Sequence, residues 1–470
     1  MGRLATSSLV RFGFAIAGVC SWLACGTFLE EPPADAPDRD AASTEDGSPN
    51  IDSGGGSDSA STDPTTAIVD LAAGNSSTCI VVANGSVYCW GSNHRKQLGA
   101  ADAPETCADA RPCSRRPMRV EGITDAKHVA VGDAWACVAH ANGAVSCWGS
   151  NSHKQLGHVM GDEQCGGVSC NAKPMAVGGL PAGDPVEQLA AGGDESQAAT
   201  CARLQSGKVF CWGSNDDGQL GVGSASSSDS SMALQVMGIE AARFLTAAPQ
   251  GGNVAFCAVL FSKELMCWGS GQYWMIGRDP VLAAAPCTCY ANAAKPALAP
   301  ASGKNVATVG IADGTSIVAL DDKSVSVYGF TGYALKKISS LPQDVLSVEK
   351  LPNTIVEIAA GARHACARTD TNDVWCWGDA HLGSLGRGTF SGDNMCGDKK
   401  CSEAAEIVPG VKGTRLVSGV NGTFLLTGDH SIVAWGANQY GQLGHAANLD
   451  VGSVEGLLCA TRPTTVDGLP

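Results

Sequence analysis

From residue 67 to residue 470, apolar and polar positions recur in short runs rather than in helical periods. Stretches such as IVDLAAG from Ile68, HVAVG from His128 and IVEIAAG from Ile355 lead into a second apolar run, then a turn, then an aromatic residue followed by Gly. That marker appears as Trp90-Gly91, Trp148-Gly149, Trp212-Gly213, Trp268-Gly269, Tyr328-Gly329, Trp377-Gly378 and Trp435-Gly436, at spacings of 58, 64, 56, 60, 49 and 58 residues. Short β-rich runs split by turn residues predict strands, and their repetition at a long fixed period predicts a propeller or a solenoid. The period is long for a solenoid coil and sufficient for a four-stranded blade. With 59 Gly and 16% charged residues the composition is poor for helices, which excludes a coiled coil or helical bundle.

A second motif follows the marker: GSNHRKQLG at 91–99, GSNSHKQLG at 149–157, GSNDDGQLG at 213–221, GDAHLGSLG at 378–386 and GANQYGQLG at 436–444. Marker and motif together resemble the repeats of the regulator-of-chromosome-condensation family. The resemblance covers residues 67–470 and implies an all-β fold, a seven-bladed β-propeller. Its repeats are expected at about 67–123, 124–180, 181–239, 240–303, 304–352, 353–411 and 412–470, here units 1 to 7. Units 4 (GSGQYWMIG, 269–277) and 5 (GFTGYALKK, 329–337) depart from the motif. The family includes a nuclear exchange factor for a small GTPase that binds chromatin, and an exported bacterial inhibitor of β-lactamases. The resemblance therefore implies protein binding, and the N-terminus of this chain sets the nuclear role aside.

Arg3 and Arg11 precede a 13-residue apolar stretch, Phe12 to Ala24, which is too short to span a bilayer and reads as an export signal. It ends in Leu23-Ala24-Cys25, resembling a bacterial lipobox and marking Cys25 as a lipidation site; Trp22 replaces the usual Leu. An ordinary cleaved signal is the alternative. Residues 26–66 hold ten acids and one base, Arg39, with abundant Pro, Ser and Gly and no apolar period. Such a segment cannot bury enough surface to offset its ordering entropy, so a disordered tether is expected. The domain organisation is thus 1–25 signal, 26–66 tether and 67–470 propeller. The location implied is a bacterial cell envelope with a lipid anchor in the membrane, or secretion without one.

Five units carry two cysteines ten residues apart, the second directly before the Trp: Cys79/Cys89, Cys137/Cys147, Cys201/Cys211, Cys257/Cys267 and Cys366/Cys376. Units 5 and 7 lose both positions together, to Ile317/Val327 and Phe424/Ala434, as bonded pairs predict. If Ala83-Asn84-Gly85 forms a three-residue hairpin loop with Gly85 left-handed, Cys79 and Cys89 face each other at a non-hydrogen-bonded site. Cα atoms there lie about 4.5 Å apart, within disulfide reach. Gly143, Gly207 and Asn372 hold the left-handed place in other units; Lys263, Lys323 and His430 hold it in the rest, where a different turn is expected. Further pairs lie in the loops after the motif: Cys107/Cys113, Cys165/Cys170, Cys396/Cys401 and, as the most strained ring, Cys287/Cys289. Zinc is the competing reading of paired cysteines, but these pairs fall in separate repeats and an oxidising compartment is expected. Cys459 aligns with the second member of this set while its unit supplies no first member, so it is left unpaired. A thiol, a mixed disulfide and an intermolecular link are all open to it.

The net charge of −15 changes meaning once divided, because the tether carries −9 and the propeller −8. An acidic chain argues against nucleic acid as partner. No nucleophile elbow, Walker loop, H-E-x-x-H or dinucleotide fingerprint occurs, and no cofactor or metal is expected. His94, His153 and His364 read as repeat positions, and the marker tryptophans as packing between blades. Tyr273 and Trp274 break the pattern of unit 4 and are candidate contact residues. Two function classes follow: a monomeric scaffold that binds a protein or glycan through disulfide-pinned loops on one face, or a hydrolase or lyase with its site at the central channel. The absence of a recurring catalytic constellation favours the first, and a non-enzyme.

Overall fold

The chain divides into two compact units, 1–57 and 58–470. The computed structural model describes residues 64–159, 163–225, 228–249, 254–271, 276, 289–294, 305–329, 346–348, 350–351, 354–389, 394–396, 399–445, 453–454 and 457–470, all in the second unit. The export signal, Cys25 and the tether up to residue 63 lie outside the described residues.

Each repeat folds as an antiparallel sheet in chain order. In unit 1, Ile68–Ala73 pairs with Ser77–Val82, then Val87–Ser92, then Pro112–Arg119, with Glu105–Thr106 added outside. Unit 2 repeats this with Ala126–Val131, Trp135–His140, Val145–Ser150, Val168–Ala176 and Glu163–Cys165. Units 3, 4 and 5 are four-stranded. Units 6 and 7 share one long strand, Lys399–Ser418, which pairs with Asp373–Asp379 of unit 6 and then with Gly422–Thr427 of unit 7. The second strands are buried along their whole length in units 1 and 5, because each sheet is covered on both faces by its neighbours.

Closure of the ring is explicit. Ile68, Leu71 and Trp90 of unit 1 share one apolar cluster with Phe424, Ile432, Leu443 and Val466 of unit 7. On the axis, Arg415 of unit 7 reaches the almost wholly buried Asp70 of unit 1 at 2.6 Å. Asp70 in turn accepts the Val129 backbone N–H of unit 2 at 3.0 Å. The architecture is a β-propeller.

The marker aromatics Trp90, Trp148, Trp212, Trp268, Tyr328, Trp377 and Trp435 are fully buried between units, each indole removing enough apolar surface from water to contribute roughly 4–6 kcal/mol. The Gly after the marker is required by its backbone: Gly91 has φ +103°, and a Cβ there would stand 2.3 Å from the Ser76 carbonyl oxygen.

The hairpin register is as expected. Cys79 faces Cys89 with Gly85 at φ +80°, and the same register sets Cys137 opposite Cys147, Cys201 opposite Cys211, Cys257 opposite Cys267 and Cys366 opposite Cys376. The expectation of different turns at Lys263, Lys323 and His430 is not met: all three adopt the same left-handed conformation, at φ 65°, 70° and 64°. Burial of both flanking strands fixes the register, and that outweighs the roughly 1–2 kcal/mol cost of a side chain in this region.

Candidate functional site

The loop after each marker is built by its own Asn and Gln. Asn93 Oδ1 accepts the Leu98 N–H at 3.1 Å and Gln97 Oε1 accepts the Arg95 N–H at 2.8 Å. The same two bonds recur at Asn151 and Gln155, Asn215 and Gln219, and Asn438 and Gln442. The carbonyl of the motif Gln then accepts the marker indole of the next unit: Trp148 from Gln97, Trp212 from Gln155, Trp268 from Gln219 and Trp90 from Gln442, at 2.9–3.0 Å. In unit 6, Ser384 supplies that carbonyl to Trp435. The motif therefore couples a rigid loop on one face to the packing between units.

What the rigid loop presents is the side chain five residues after the marker aromatic, and the variable loop of the following unit rests on it. Arg95 of unit 1 donates to the Cys165 carbonyl in the pinned loop of unit 2 at 2.6 Å, and to both oxygens of Glu195 of unit 3 at 2.6 and 3.1 Å. His153 of unit 2 lies 3.3 Å from Asp229 in the loop of unit 3. Leu382 of unit 6 packs against Cys459 of unit 7. Tyr440 of unit 7 donates its hydroxyl to Asp109 at 3.1 Å, and the Arg111 guanidinium stacks over its ring at 5.3 Å; both partners belong to the Cys107–Cys113 loop of unit 1. Among the described residues the loops thus interlock from unit 6 through units 7 and 1 to unit 3 as a collar, although the residue at the shared position differs each time.

Inside the collar, the turns between first and second strands place Asn75, Asp133, Asp194, Glu195, Asp313, Arg363 and Asn421 around the channel mouth. Burial pushes the Asp133 carboxyl up to about 6, with Asp194 and Glu195 adding repulsion against the bond from Asn75. Hydrogen bonding from Arg95 holds Glu195 below its usual range. His94, beneath this pair, is pushed down to about 4 by burial and by Arg111 and Arg95, so it is neutral at pH 7. Beside the mouth a cavity of about 380 Å³ is lined by Asp313, Arg363, His364, Asp379, His381 and Asn421. The imidazole of His364 is anchored to Thr423 Oγ1 at 2.8 Å. The channel itself is lined mainly by apolar residues such as Leu71, Val129, Leu189, Leu245, Ile358 and Leu416. Among the described residues no group of three or more His, Cys, Asp or Glu side chains is placed to hold a metal ion.

Models of the regulator of chromosome condensation (RCC1) repeat match residues 68–97, 186–219 and 355–383, and residues 84–139 and 142–198. The chain is 16% identical to yeast RCC1 (Prp20) in its complex with Kap60, with a TM-score of 0.62 over 86% of this chain and 85% of that one. The matched segments of the chain carry RCC1-type repeats. Among curated RCC1-like relatives it is 25% identical over 396 residues to the ultraviolet-B receptor UVR8 of Arabidopsis thaliana, covering 83% of this chain and 81% of the receptor. It is also 25% identical over 378 residues to the human E3 ubiquitin-protein ligase HERC2, covering 77% of this chain but 7% of the ligase.

Within the RCC1 propeller the five cross-strand pairs are bonded: Cys79–Cys89, Cys137–Cys147, Cys201–Cys211, Cys257–Cys267 and Cys366–Cys376, with Cα atoms 4.1 Å apart in each. That separation is slightly closer than the 4.5 Å or so expected of the site. Cys107–Cys113 and Cys165–Cys170 are bonded too, and Cys401 is a disulfide cysteine. The side chains of Cys396 and Cys289, together with Cys287, Tyr273 and Trp274, lie outside the described residues. Cys459 is fully buried, packed against Leu382 and Ala437. His94 and His153 do occupy repeat positions, but both also meet Glu195, His94 at 3.5 Å from its carboxylate and His153 at 3.0 Å from its carbonyl. Neither Glu195 nor Asp229 stands out by sequence reasoning. The available signal is the lengthened turn Asp194-Glu195-Ser196-Gln197 of unit 3, against Asp133-Ala134 in unit 2.

Proposed function

We propose that this protein is an exported, lipid-anchored RCC1-type propeller that binds a protein or glycan partner through the collar face. The observation that carries the reading is the interlocking of variable loops, two of them closed by Cys107–Cys113 and Cys165–Cys170, onto rigid motif loops. Loops ordered before contact lose little entropy on binding, and function carried on loops over a rigid frame is the general expectation. The solved complex of yeast RCC1 with Kap60 supports a protein partner. The signal ending at Cys25 and the acidic segment 26–66 support a location at a bacterial cell envelope, with the propeller tethered away from the membrane.

Two experiments test the reading. Incorporation of labelled palmitate that vanishes in Cys25→Ala supports the anchor, and no incorporation in the parent refutes it. Cross-linking on intact cells, followed by partner identification, should yield one partner whose capture falls at least about tenfold in Arg95→Ala, which loosens the collar. Capture unaffected by that substitution refutes the collar as the binding surface.

A further inference from the structure

The cavity beside the channel mouth has its origin in the sequence of unit 6. In units 1, 2, 3 and 7 the motif Gln is buried. In unit 3 its side chain bridges to the turn before the second strand, Gln219 Nε2 donating to Gln197 Oε1 at 2.8 Å. Unit 6 has Ser384 at the motif position, and Ala362 where unit 3, counted back from the second-strand cysteine, has Gln197. Two carboxamide side chains are thus replaced by a hydroxyl and a methyl group, and Ser384 and Ala362 both line the cavity of about 380 Å³. The loop keeps its shape by other bonds: Asp379 Oδ1 accepts the His381 N–H and Ser384 Oγ donates to the His381 carbonyl, each at 2.7 Å. The volume falls within the range of about 300–1,000 Å³ that small-molecule pockets occupy.

Three units converge on this space. Asp313 comes from the turn of unit 5, Arg363 and His364 from unit 6 and Asn421 from unit 7, with Asp379 on the motif loop. Arg363 and Asp313 act on each other, the guanidinium favouring the charged carboxyl against its burial. Burial pushes His364 down to about 4, so its imidazole is neutral at pH 7. An anion entering here meets two acidic side chains, and a cation meets the guanidinium. Hydroxyl groups suit both, because each donates to a carboxylate and accepts from a guanidinium or carboxamide N–H. Hydrogen bonds to charged partners are about twice as strong as neutral ones. Leu382 and Val420 add an apolar wall for the carbon skeleton of a ligand.

We propose that this cavity binds an uncharged polyhydroxy ring, a single sugar residue, either free or at the end of a glycan. The assignment rests on the reading of the collar face as the recognition surface and names the ligand chemistry at its inner edge.

Saturation-transfer NMR on the purified full chain tests this, with the methyl glycosides of glucose, galactose, mannose and N-acetylglucosamine as probes. At least one should bind with a Kd of about 2 mM or tighter. Ser384→Gln with Ala362→Gln rebuilds the bridge of unit 3 and should weaken that binding at least about tenfold, with an unchanged Tm as the check on folding. Asp313→Asn should also weaken it about tenfold. Binding of none of the four glycosides, or binding that survives both variants, overturns the proposal. Stronger binding of glycine or acetate also overturns it, marking a site for a zwitterion or an anion. A trisaccharide ending in the same sugar that binds at least about tenfold tighter identifies a glycan end as the source, and equal affinity identifies the free sugar; either result supports the site. If no glycoside binds while partner capture on cells still falls in Arg95→Ala, the ligand assignment fails and the collar remains the recognition surface. If a glycoside binds and capture is unaffected by Arg95→Ala, the collar fails and the cavity alone is the site.

Discussion

Replacing Arg95 by alanine removes the side chain on which loops of two other units converge. Its guanidinium is largely buried and makes four hydrogen bonds, two to Glu195, one to the Cys165 carbonyl and a long one to the Gly166 carbonyl. Glu195 is 42% exposed, so solvent screening limits the ion pair to about 1 kcal/mol. The bond to the Cys165 carbonyl adds about 1 kcal/mol, giving a loss of about 2 kcal/mol. An RCC1 propeller of this length has an unfolding entropy of roughly 0.8 kcal/mol/K, so Tm should fall by about 2–3 °C. The pH dependence sharpens the test. Arg95 holds the folded Glu195 carboxyl below its usual range, so this stability is complete above the unfolded value and is lost as pH falls through the folded one. The difference between parent and variant, followed by calorimetry, should stay constant from about pH 6 to 8 and narrow below about pH 4. An unchanged Tm, or a difference that widens on acidification, refutes the reasoning.

Asp70→Ala removes the acceptor that closes the ring, leaving Arg415 and the Val129 N–H without it; Arg415 is 41% exposed, so solvent screens the freed charge, and a loss of about 2–3 kcal/mol in denaturant unfolding is expected, while a loss under about 1 kcal/mol would contradict it. Lys323→Gly and His430→Gly relieve left-handed side chains that are exposed at hairpin tips; each should raise stability by about 0.5–1 kcal/mol, whereas destabilisation would show that those side chains contribute elsewhere. Asp133 has a folded pKa raised from 3.8 to about 6, so the native state holds a proton that the unfolded chain has shed. Stability at this site falls as pH rises through that window. Asp133→Asn should therefore gain on the parent between about pH 4 and 6 and keep that gain at pH 7, and a pH-independent difference between the two would count against the buried carboxyl.

The fold was legible because its markers are chemical necessities: an indole between units, a glycine whose Cβ would meet the Ser76 carbonyl, and an Asn and a Gln that close a loop. Cysteine register was equally readable, since a three-residue hairpin loop determines which residues face each other. The collar was not legible. Its shared position holds Arg95, His153, Leu382 and Tyr440, so geometry repeats while identity does not. The partners Glu195, Asp229 and Asp109 come from loops of unequal length, where spacing carries no register. At Lys263, Lys323 and His430 local preference points to a different turn, and the buried strands on either side override it.

The collar face as the recognition surface is tested most directly by photo-cross-linkers placed on either side of the ring. Exposed Asp109 and Gly167 lie in the pinned loops, and exposed Asn84 and Asn142 at hairpin tips on the opposite face. Irradiation on intact cells should join one partner to probes at Asp109 and Gly167 and leave those at Asn84 and Asn142 unlabelled. Equal labelling from both faces, or labelling from the hairpin tips alone, would contradict it.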